Sequence, residues 1–186
     1  MRKKSVGCGC LSFIVLIIFA FLLFIILVNY VQIKNTRTYE DISVKYIEQT
    51  EDLAKSIAKK YNIFASVVMA QSALESNWGT SGLSKEYNNY FGIKSNKGVS
   101  LKTTEFIEGK SVYKEENFAV YNSKKESFHA YAKLITKAPR YERVKKAKDY
   151  KEAAKALYAC GYATDPNYSQ KIINLIEKYE FYKLDE

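Results

Sequence analysis

The chain has 186 residues, with 29 lysines and arginines against 20 acidic residues and a formal net charge of +9. This length suits one domain with an appended segment. One histidine and three separated cysteines leave almost no material for a metal site, a disulfide framework or a histidine-activated nucleophile. Without a glycine-rich phosphate loop, nucleotide chemistry is also unsupported. We therefore expect no metal and no cofactor.

The N-terminal segment carries no charged residue between Lys4 and Lys34. About 20 apolar residues cross a bilayer, whereas a cleavable signal has a shorter apolar core and a small-residue cleavage site. We predict a cytoplasmic N-terminus at residues 1–10, an uncleaved transmembrane helix at 11–31, and a stalk at 32–46 that enters the domain as extended chain. Because basic residues precede the span, we expect the domain on the extracytoplasmic side of the cell membrane.

The positive charge is unevenly distributed. Five basic residues and no acidic ones lie in the first 37 positions, so the rest of the chain carries only +4. Its densest basic cluster, Lys137 to Lys155, also contains acidic residues and is expected to be a solvated helical face, with weak attraction to an anionic surface as the alternative. This modest charge gives little support for nucleic-acid binding.

The predicted domain, residues 47–186, combines helices with one hairpin. Helical periodicity or capping signals mark the following stretches: Leu53–Tyr61, Ser66–Trp78, Ser123–Ile135, Asp149–Tyr158 and Asp165–Tyr179. We expect Ser66 to cap the second of these helices and Gly79 to end it. Leu101–Ile107 and Val112–Tyr121 predict two strands joined by a tight turn. The fold class is therefore α+β, mostly helical, with a cleft between a helical lobe and a hairpin lobe.

Glu75 is the first candidate catalytic residue. It falls in the last turn of the predicted Ser66 helix, three residues before Trp78. The negative end of the helix dipole and a desolvating indole would both raise the pKa of this carboxyl, as a general acid requires. Trp78 itself is equally compatible with a place in the core.

Glu105 is the second candidate. Strand alternation places it on one face with Leu101, Thr103 and Ile107, which is unusual for a carboxylate. A glycosidase needs an acid with a raised pKa, a second carboxylate, and aromatic and amide groups that bind sugar. Tyrosine and asparagine are plentiful, so glycoside hydrolysis is the favoured chemistry.

Four motifs appear in the order found in a known family: Ala70–Gly79, Asn88–Lys94, Thr103–Phe106 and Gly161–Tyr168. Over roughly Ile47 to Tyr182 the chain resembles the bacterial endo-β-N-acetylglucosaminidases of glycoside hydrolase family 73, the flagellar and autolysin type. The resemblance implies a lysozyme-like fold and cleavage of the β-1,4 bond between N-acetylglucosamine and N-acetylmuramic acid in peptidoglycan.

The resemblance also implies residue roles. Glu75 matches the general acid, and Glu105 matches the hairpin carboxylate commonly assigned as the second catalytic group. Tyr162 matches a tyrosine tied to substrate binding or activity, and Asn89 and Phe91 match cleft-lining positions.

Tyr168 and Trp78 complete the predicted substrate-binding set, although both rings are equally compatible with packing roles. Two alternative functions stay open. One is muramidase or lytic transglycosylase activity on the same glycan, and the other is a non-catalytic module that binds the cell wall. We expect peptidoglycan and the membrane as partners, and no nucleic acid.

Overall fold

The computed structural model describes residues 8–107 and 110–186, with side chains described for 20–103 and 112–186. The chain divides into an N-terminal unit that ends at Ile42 and a compact domain, Ser43–Glu186. The domain therefore begins four residues before the boundary expected from the sequence.

Helix α1, Cys8–Glu48, is continuous over 41 residues, where the sequence predicted a stalk and extended chain after residue 31. Residues 31–48 contain neither glycine nor proline, so nothing in the backbone interrupts the helix. Thr36 and Thr38 each donate a hydroxyl hydrogen bond of 3.0 Å to the carbonyl four residues earlier, which places their polar groups within the helix.

Among the helices of the described part of the chain, none has the length and apolar character that crossing a bilayer requires. The predicted span at 11–31 includes residues 11–19, whose side chains lie outside the described residues. The span stays a prediction.

The domain contains the helices α2 to α8: Glu51–Tyr61, Ala65–Ser76, Gly82–Tyr87, Lys124–Lys137, Glu142–Lys145, Tyr150–Ala159 and Tyr168–Lys178. Short 3₁₀ turns cover Pro139–Tyr141 and Phe181–Asp185. Helix α3 is the centre of this arrangement, because ten of its 12 residues are buried and α2, α7 and α8 pack around it. A helix that is apolar on all sides is stable only when other elements cover it.

The start of α3 differs from the sequence prediction. The helix begins at Ala65, and Ser66 lies inside its first turn. The cap comes from the other end of the chain: the carboxylate of Asp185 accepts hydrogen bonds from the Ser66 backbone N–H at 2.9 Å and the Ser66 hydroxyl at 2.5 Å. A carboxylate at a helix N-terminus satisfies a free N–H and complements the helix dipole.

The end of α3 also differs. The last helical residue is Ser76, and Asn77, Trp78 and Gly79 follow with φ values of 49°, 57° and 72°. Three successive left-handed residues, two of them not glycine, are energetically costly. The turn is held by the Trp78 N–H, which donates to the Ala73 carbonyl at 2.8 Å, and by the Gly79 N–H, which donates to the Ser76 hydroxyl at 2.7 Å.

The predicted hairpin is confirmed as a two-stranded antiparallel sheet of β1, Lys94–Ile107, and β2, Lys110–Phe118. Strand β1 is longer than predicted, because Lys94 and Val99 both pair with Phe118 and leave a bulge between them. Gly98 lies in this bulge, where a Cβ atom would come within 1.8 Å of the Phe118 carbonyl oxygen. Only glycine permits this close approach.

The predicted capping signals of two later helices are confirmed. The Ser123 hydroxyl accepts from the Glu126 N–H at 3.2 Å at the start of α5, and the Asp149 carboxylate accepts from the Glu152 N–H at 2.7 Å at the start of α7. Helix α8 instead begins at Tyr168, after a turn, rather than near Asp165. Tyr168 is therefore the first residue of its helix.

We predict that Asp185→Ala destabilises the domain by about 1–2 kcal/mol, since it removes the cap that crosses from the C-terminus to α3. Urea unfolding monitored by the fluorescence of the single tryptophan measures the change. The adjacent Glu186→Ala removes a carboxylate outside this cap and is the matched control. Equal stabilities of the two variants would contradict the capping role.

Candidate active site

A cleft of about 600 Å³ opens beside the end of α3. Its walls come from α3, the loop before β1, the hairpin, the end of α5 with the following 3₁₀ turn, and the α7–α8 loop. The lining residues are Leu74, Glu75, Gly92, Ile93, Lys94, Thr103, Phe118, Leu134, Arg140, Tyr141, Gly161, Tyr162, Ala163, Thr164, Asp165, Tyr168 and Lys171. The cleft thus lies between helices and hairpin, as the sequence predicted.

Glu75 lies in this cleft with most of its side chain covered. Burial raises the pKa of its carboxyl from 4.5 to about 7. A hydrogen bond from Tyr168 and the positive charge of Lys171 favour the ionised form and limit the rise. The sequence predicted a raised pKa from the helix dipole and from desolvation by Trp78, and the main cause in the structure is desolvation by burial.

A chain of hydrogen bonds leads from the core to Glu75. The Tyr131 hydroxyl donates to Gln71 Oε1, Gln71 Nε2 donates to the Tyr168 hydroxyl at 2.8 Å, and the Tyr168 hydroxyl donates to Glu75 Oε1 at 2.6 Å. All three hydrogen bonds donate toward Glu75, and each bond polarises the next. Because Oε1 accepts from Tyr168, the proton of neutral Glu75 belongs on Oε2.

Gly92 borders that second oxygen. Its φ is +61°, and a Cβ atom at this position would lie 3.7 Å from Glu75 Oε2. Glycine adopts this left-handed conformation without strain and adds no side chain beside the carboxyl. The protonated oxygen of Glu75 therefore lies where the loop before β1 leaves room for another molecule.

Tyr162 is a lining residue whose hydroxyl is occupied by the protein. It donates to the Phe91 carbonyl at 2.9 Å, and its ring stacks on that of Tyr168 with centroids 5.8 Å apart. Tyr162 therefore lines the cleft with its ring rather than with its hydroxyl. Tyr168 lines the cleft as well, and its hydroxyl is committed to Glu75.

Asn89 and Phe91 support the site from behind and are absent from the described cleft lining. The Asn89 side chain donates to the carbonyls of Ile93 and Ala119, each at 2.9 Å, and accepts from the N–H groups of Phe91 at 3.3 Å and Ile93 at 3.1 Å. The Phe91 ring is 1% exposed and stacks on Tyr131 at 4.1 Å. These contacts support a positioning role for both residues, and their predicted contact with substrate stays a prediction.

Trp78 likewise packs into the core. It is 5% exposed, and its ring meets those of Tyr179 at 4.9 Å and Tyr46 at 6.0 Å edge to face. Of the two roles left open by the sequence, the core role is the one these contacts support. Trp78 holds the left-handed turn that follows Glu75.

Glu105 lies on β1 opposite Val112, but its side chain lies outside the described residues. Thr103, two residues earlier on the strand, lines the cleft. The role of Glu105 stays a prediction.

Sequence reasoning missed four residues of the site. Gln71 and Tyr131 fall within predicted helices and received no role in the site, yet their polar ends carry the hydrogen bonds that lead to Glu75. Arg140 was placed on a solvated helical face; it is exposed but lies in a 3₁₀ turn, and it lines the cleft together with Tyr141. A glutamine on an otherwise apolar helix face was the one available signal, because a buried amide requires partners.

Comparison with known proteins identifies the family. A family model described as mannosyl-glycoprotein endo-beta-N-acetylglucosaminidase matches residues 51–181. The chain belongs to this glucosaminidase family. The resemblance seen in the sequence is thereby confirmed.

Relatives of this glucosaminidase domain carry more than one named activity. The chain is 37% identical to the exo-glucosaminidase LytG of Bacillus subtilis, over 82% of this chain and 57% of LytG. It is 38% identical to a probable N-acetylmuramidase of Lactococcus lactis, over 75% of this chain and 34% of that protein. The glucosaminidase chain thus spans between about a third and just over half of the length of these relatives.

The fold agrees with that of solved relatives. The catalytic domain of the autolysin Auto from Listeria monocytogenes superposes with a TM-score of 0.68 at 37% identity, covering 77% of this chain and 88% of that domain. The glucosaminidase domain is therefore a mostly helical, lysozyme-like fold with a small two-stranded sheet.

We predict that Tyr168→Phe moves the basic limb of the pH–activity profile upward by roughly one pH unit. The lost hydrogen bond stabilises ionised Glu75, so its removal raises the pKa of the acid above about 7 and keeps it protonated to higher pH. Tyr158→Phe, an exposed tyrosine of α7, is the control. A basic limb that stays at the same pH or moves to lower pH in Tyr168→Phe would refute the assignment of this limb to Glu75.

Proposed function

We propose that the domain is a peptidoglycan hydrolase that cleaves the β-1,4 bond between N-acetylglucosamine and N-acetylmuramic acid. The observation that carries the proposal is Glu75, a buried carboxyl with a pKa of about 7 that opens into a cleft walled by tyrosines. Its setting in a chain of the glucosaminidase family supplies the class of bond.

Glu75 serves as the general acid. A carboxyl with a pKa of about 7 keeps a proton available near neutral pH. Transfer of this proton to the glycosidic oxygen lets the leaving sugar depart as an alcohol. The hydrogen bond from Tyr168 to Oε1 then stabilises the carboxylate that is left behind. Oε2, beside Gly92, is the oxygen that donates.

Glu105 serves as the second catalytic group. Residues i and i+2 of a strand share a face, and Thr103, its neighbour on that face, lines the cleft. From there Glu105 either activates a water molecule, which inverts the anomeric centre, or stabilises an intermediate formed by the acetamido group of the substrate, which retains it.

Muramidase activity is the second candidate function, because a relative of similar identity is named a probable N-acetylmuramidase. The two activities cleave alternate bonds of the same glycan and can share one acid. The bond that is cut depends on which sugar is seated beside Glu75.

The products of digestion separate these candidates. Purified peptidoglycan treated with the protein should yield fragments with N-acetylglucosamine at the reducing end, identified by mass spectrometry after borohydride reduction. Muramic acid or its anhydro form at that end would establish the muramidase or transglycosylase alternative instead.

Glu75→Gln should abolish the release of reducing ends while the variant stays folded, because the amide keeps the shape and lacks the acidic proton. Thermal unfolding verifies the fold. An exposed carboxylate of α2, Asp52, changed to Asn is the control and should retain full activity. Full activity in Glu75→Gln would eliminate the catalytic assignment, and inactivity of the native chain would favour a wall-binding module.

We further propose that residues 11–31 anchor the domain in the cell membrane, with the domain on the cell-wall side. The support is the charge-free sequence from residue 5 to 33 and the exposure of the large apolar side chains that the structure describes there, such as Phe21 at 62% and Ile26 at 63%. A helix with apolar side chains exposed on all sides needs an apolar environment.

Thiol labelling tests this topology. In a Cys8→Ser/Cys10→Ser variant the remaining cysteine is Cys160, a partly exposed free thiol. We expect a membrane-impermeant maleimide to label it in intact protoplasts, and the variant to stay in the membrane fraction after alkaline carbonate. A Cys160→Ser variant, which keeps the N-terminal cysteines, should stay unlabelled. The opposite labelling pattern, or release by carbonate, would contradict the proposal.

A further inference from the structure

The cleft contains one cation that differs from the others. Among the described residues, Lys94, Arg140 and Lys171 are the basic side chains that line it. Lys94 pairs with Glu116 at 3.3 Å, and Lys171 pairs with Asp165 at 2.5 Å. Arg140 forms no ion pair with a described carboxylate, and its hydrogen-bond partner is the Tyr141 hydroxyl.

Arg140 is nevertheless held in place. Its Nη2 donates to the Tyr141 hydroxyl at 2.6 Å, and the guanidinium carbon lies 4.5 Å from the centre of the same ring. The Tyr141 ring is 1% exposed, and Pro139 restricts the backbone of the 3₁₀ turn that carries both residues. A guanidinium has five N–H donors, so most of them stay available on a side chain that is already ordered.

A row of tyrosine rings connects Arg140 with the acid. The ring of Tyr141 lies 6.1 Å from that of Tyr162, and Tyr162 lies 5.8 Å from Tyr168, whose hydroxyl contacts Glu75. All three tyrosines line the cleft. The rings of Tyr141 and Tyr168 are only 1% and 4% exposed, so the row forms part of the cleft wall rather than an open stacking surface. A glycan lying along this wall would have one sugar at Glu75 and another near Arg140.

The two sugars of the proposed substrate differ in charge. N-acetylglucosamine is neutral, whereas N-acetylmuramic acid carries a lactyl ether that ends in a carboxylate, either free or linked to a stem peptide with carboxylates of its own. Guanidinium groups bind carboxylates through two parallel hydrogen bonds. Arg140 has no ion pair with a described carboxylate, and of the two sugars of this polymer the muramic acid unit is the one that carries a matching group.

We propose that Arg140 is a specificity-determining residue that binds a carboxylate borne by the N-acetylmuramic acid unit, and so selects which sugar lies beside Glu75. The inference rests on the proposed function. It assigns the choice of register along the glycan to the turn after α5, which adjoins the Tyr141 end of the tyrosine row, whereas the acid adjoins the Tyr168 end.

Binding to matched glycans tests the proposal separately from catalysis. The Glu75→Gln chain would be titrated by calorimetry with glycan fragments freed of stem peptides, and with the same fragments after their lactyl carboxylates are reduced to alcohols. We expect the carboxylate form to bind about 10-fold to 100-fold more tightly, the range for hydrogen bonds to a charged group. In the double variant Glu75→Gln/Arg140→Gln, the preference for the carboxylate form should disappear, and the affinity for the reduced glycan should stay unchanged.

Two further variants complete the comparison. Arg140→Lys keeps the positive charge but lacks the planar pair of N–H donors, and it should keep part of the preference for the carboxylate glycan. Arg143→Gln removes an equal charge from an exposed position in α6 outside the described lining. This variant should retain the full preference for the carboxylate glycan. Fragments that keep their stem peptides identify the source: loss of affinity in Arg140→Gln for these fragments indicates a peptide carboxylate, and loss for peptide-free fragments alone indicates the lactyl group.

The outcomes that overturn the proposal are distinct from failure of the enzymatic function. Two results would each reject a carboxylate site at Arg140. One is an equal loss of affinity for the carboxylate and the reduced glycan when Arg140 is replaced. The other is no preference of the Glu75→Gln chain for the carboxylate glycan, together with no loss of affinity for fragments that keep their stem peptides when Arg140→Gln is added. The proposed hydrolase would stand in those cases if the native chain still cleaves peptidoglycan. Absence of cleavage together with a carboxylate preference would reject the hydrolase and keep the binding site.

Discussion

The burial of one carboxyl group at the end of a buried helix is the constraint on which the site depends. Glu75 has a pKa of about 7 in the fold against 4.5 for an exposed glutamate. Its folded pKa is the higher one, so the folded state binds the proton more tightly, and the free energy of unfolding decreases as pH rises from about 4.5 to 7. A shift of this size corresponds to a loss of about 3 kcal/mol at most. The packing around α3 must offset this loss of stability if the domain is to stay folded with Glu75 buried.

The hydrogen bonds around Glu75 show how the fold limits the cost. Tyr168 and Gln71 keep one carboxyl oxygen in contact with a donor, so the ionised form that follows proton transfer is not left unsatisfied. Tyr131 anchors this chain in the core, where its ring stacks on Phe91. The residues that tune the acid are thus also core residues, and changing them affects stability and pH dependence together.

The opposite wall of the cleft depends on backbone shape. Asn89 uses its whole amide group to join the loop before β1 to the end of β2, and Gly98 lets the two strands approach at the bulge. These contacts hold Gly92 beside Glu75 and fix where the hairpin starts. Arg140 completes the cleft from a third element, the 3₁₀ turn after α5, which places a cation at a distance from the acid along the tyrosine row.

Local patterns in the sequence determined much of this protein: the mostly helical α+β class, the hairpin, the caps at Ser123 and Asp149, and Glu75 as an acid with a raised pKa. Such features depend on residues a few positions apart, and the family motifs predicted the class of bond. Only the tertiary structure could decide that Asp185 caps α3, that Trp78 and Asn89 position the site from within, and that Arg140 lies in the cleft. Each of these contacts joins residues distant in sequence or depends on which face of a turn is covered, and neither periodicity nor spacing encodes that.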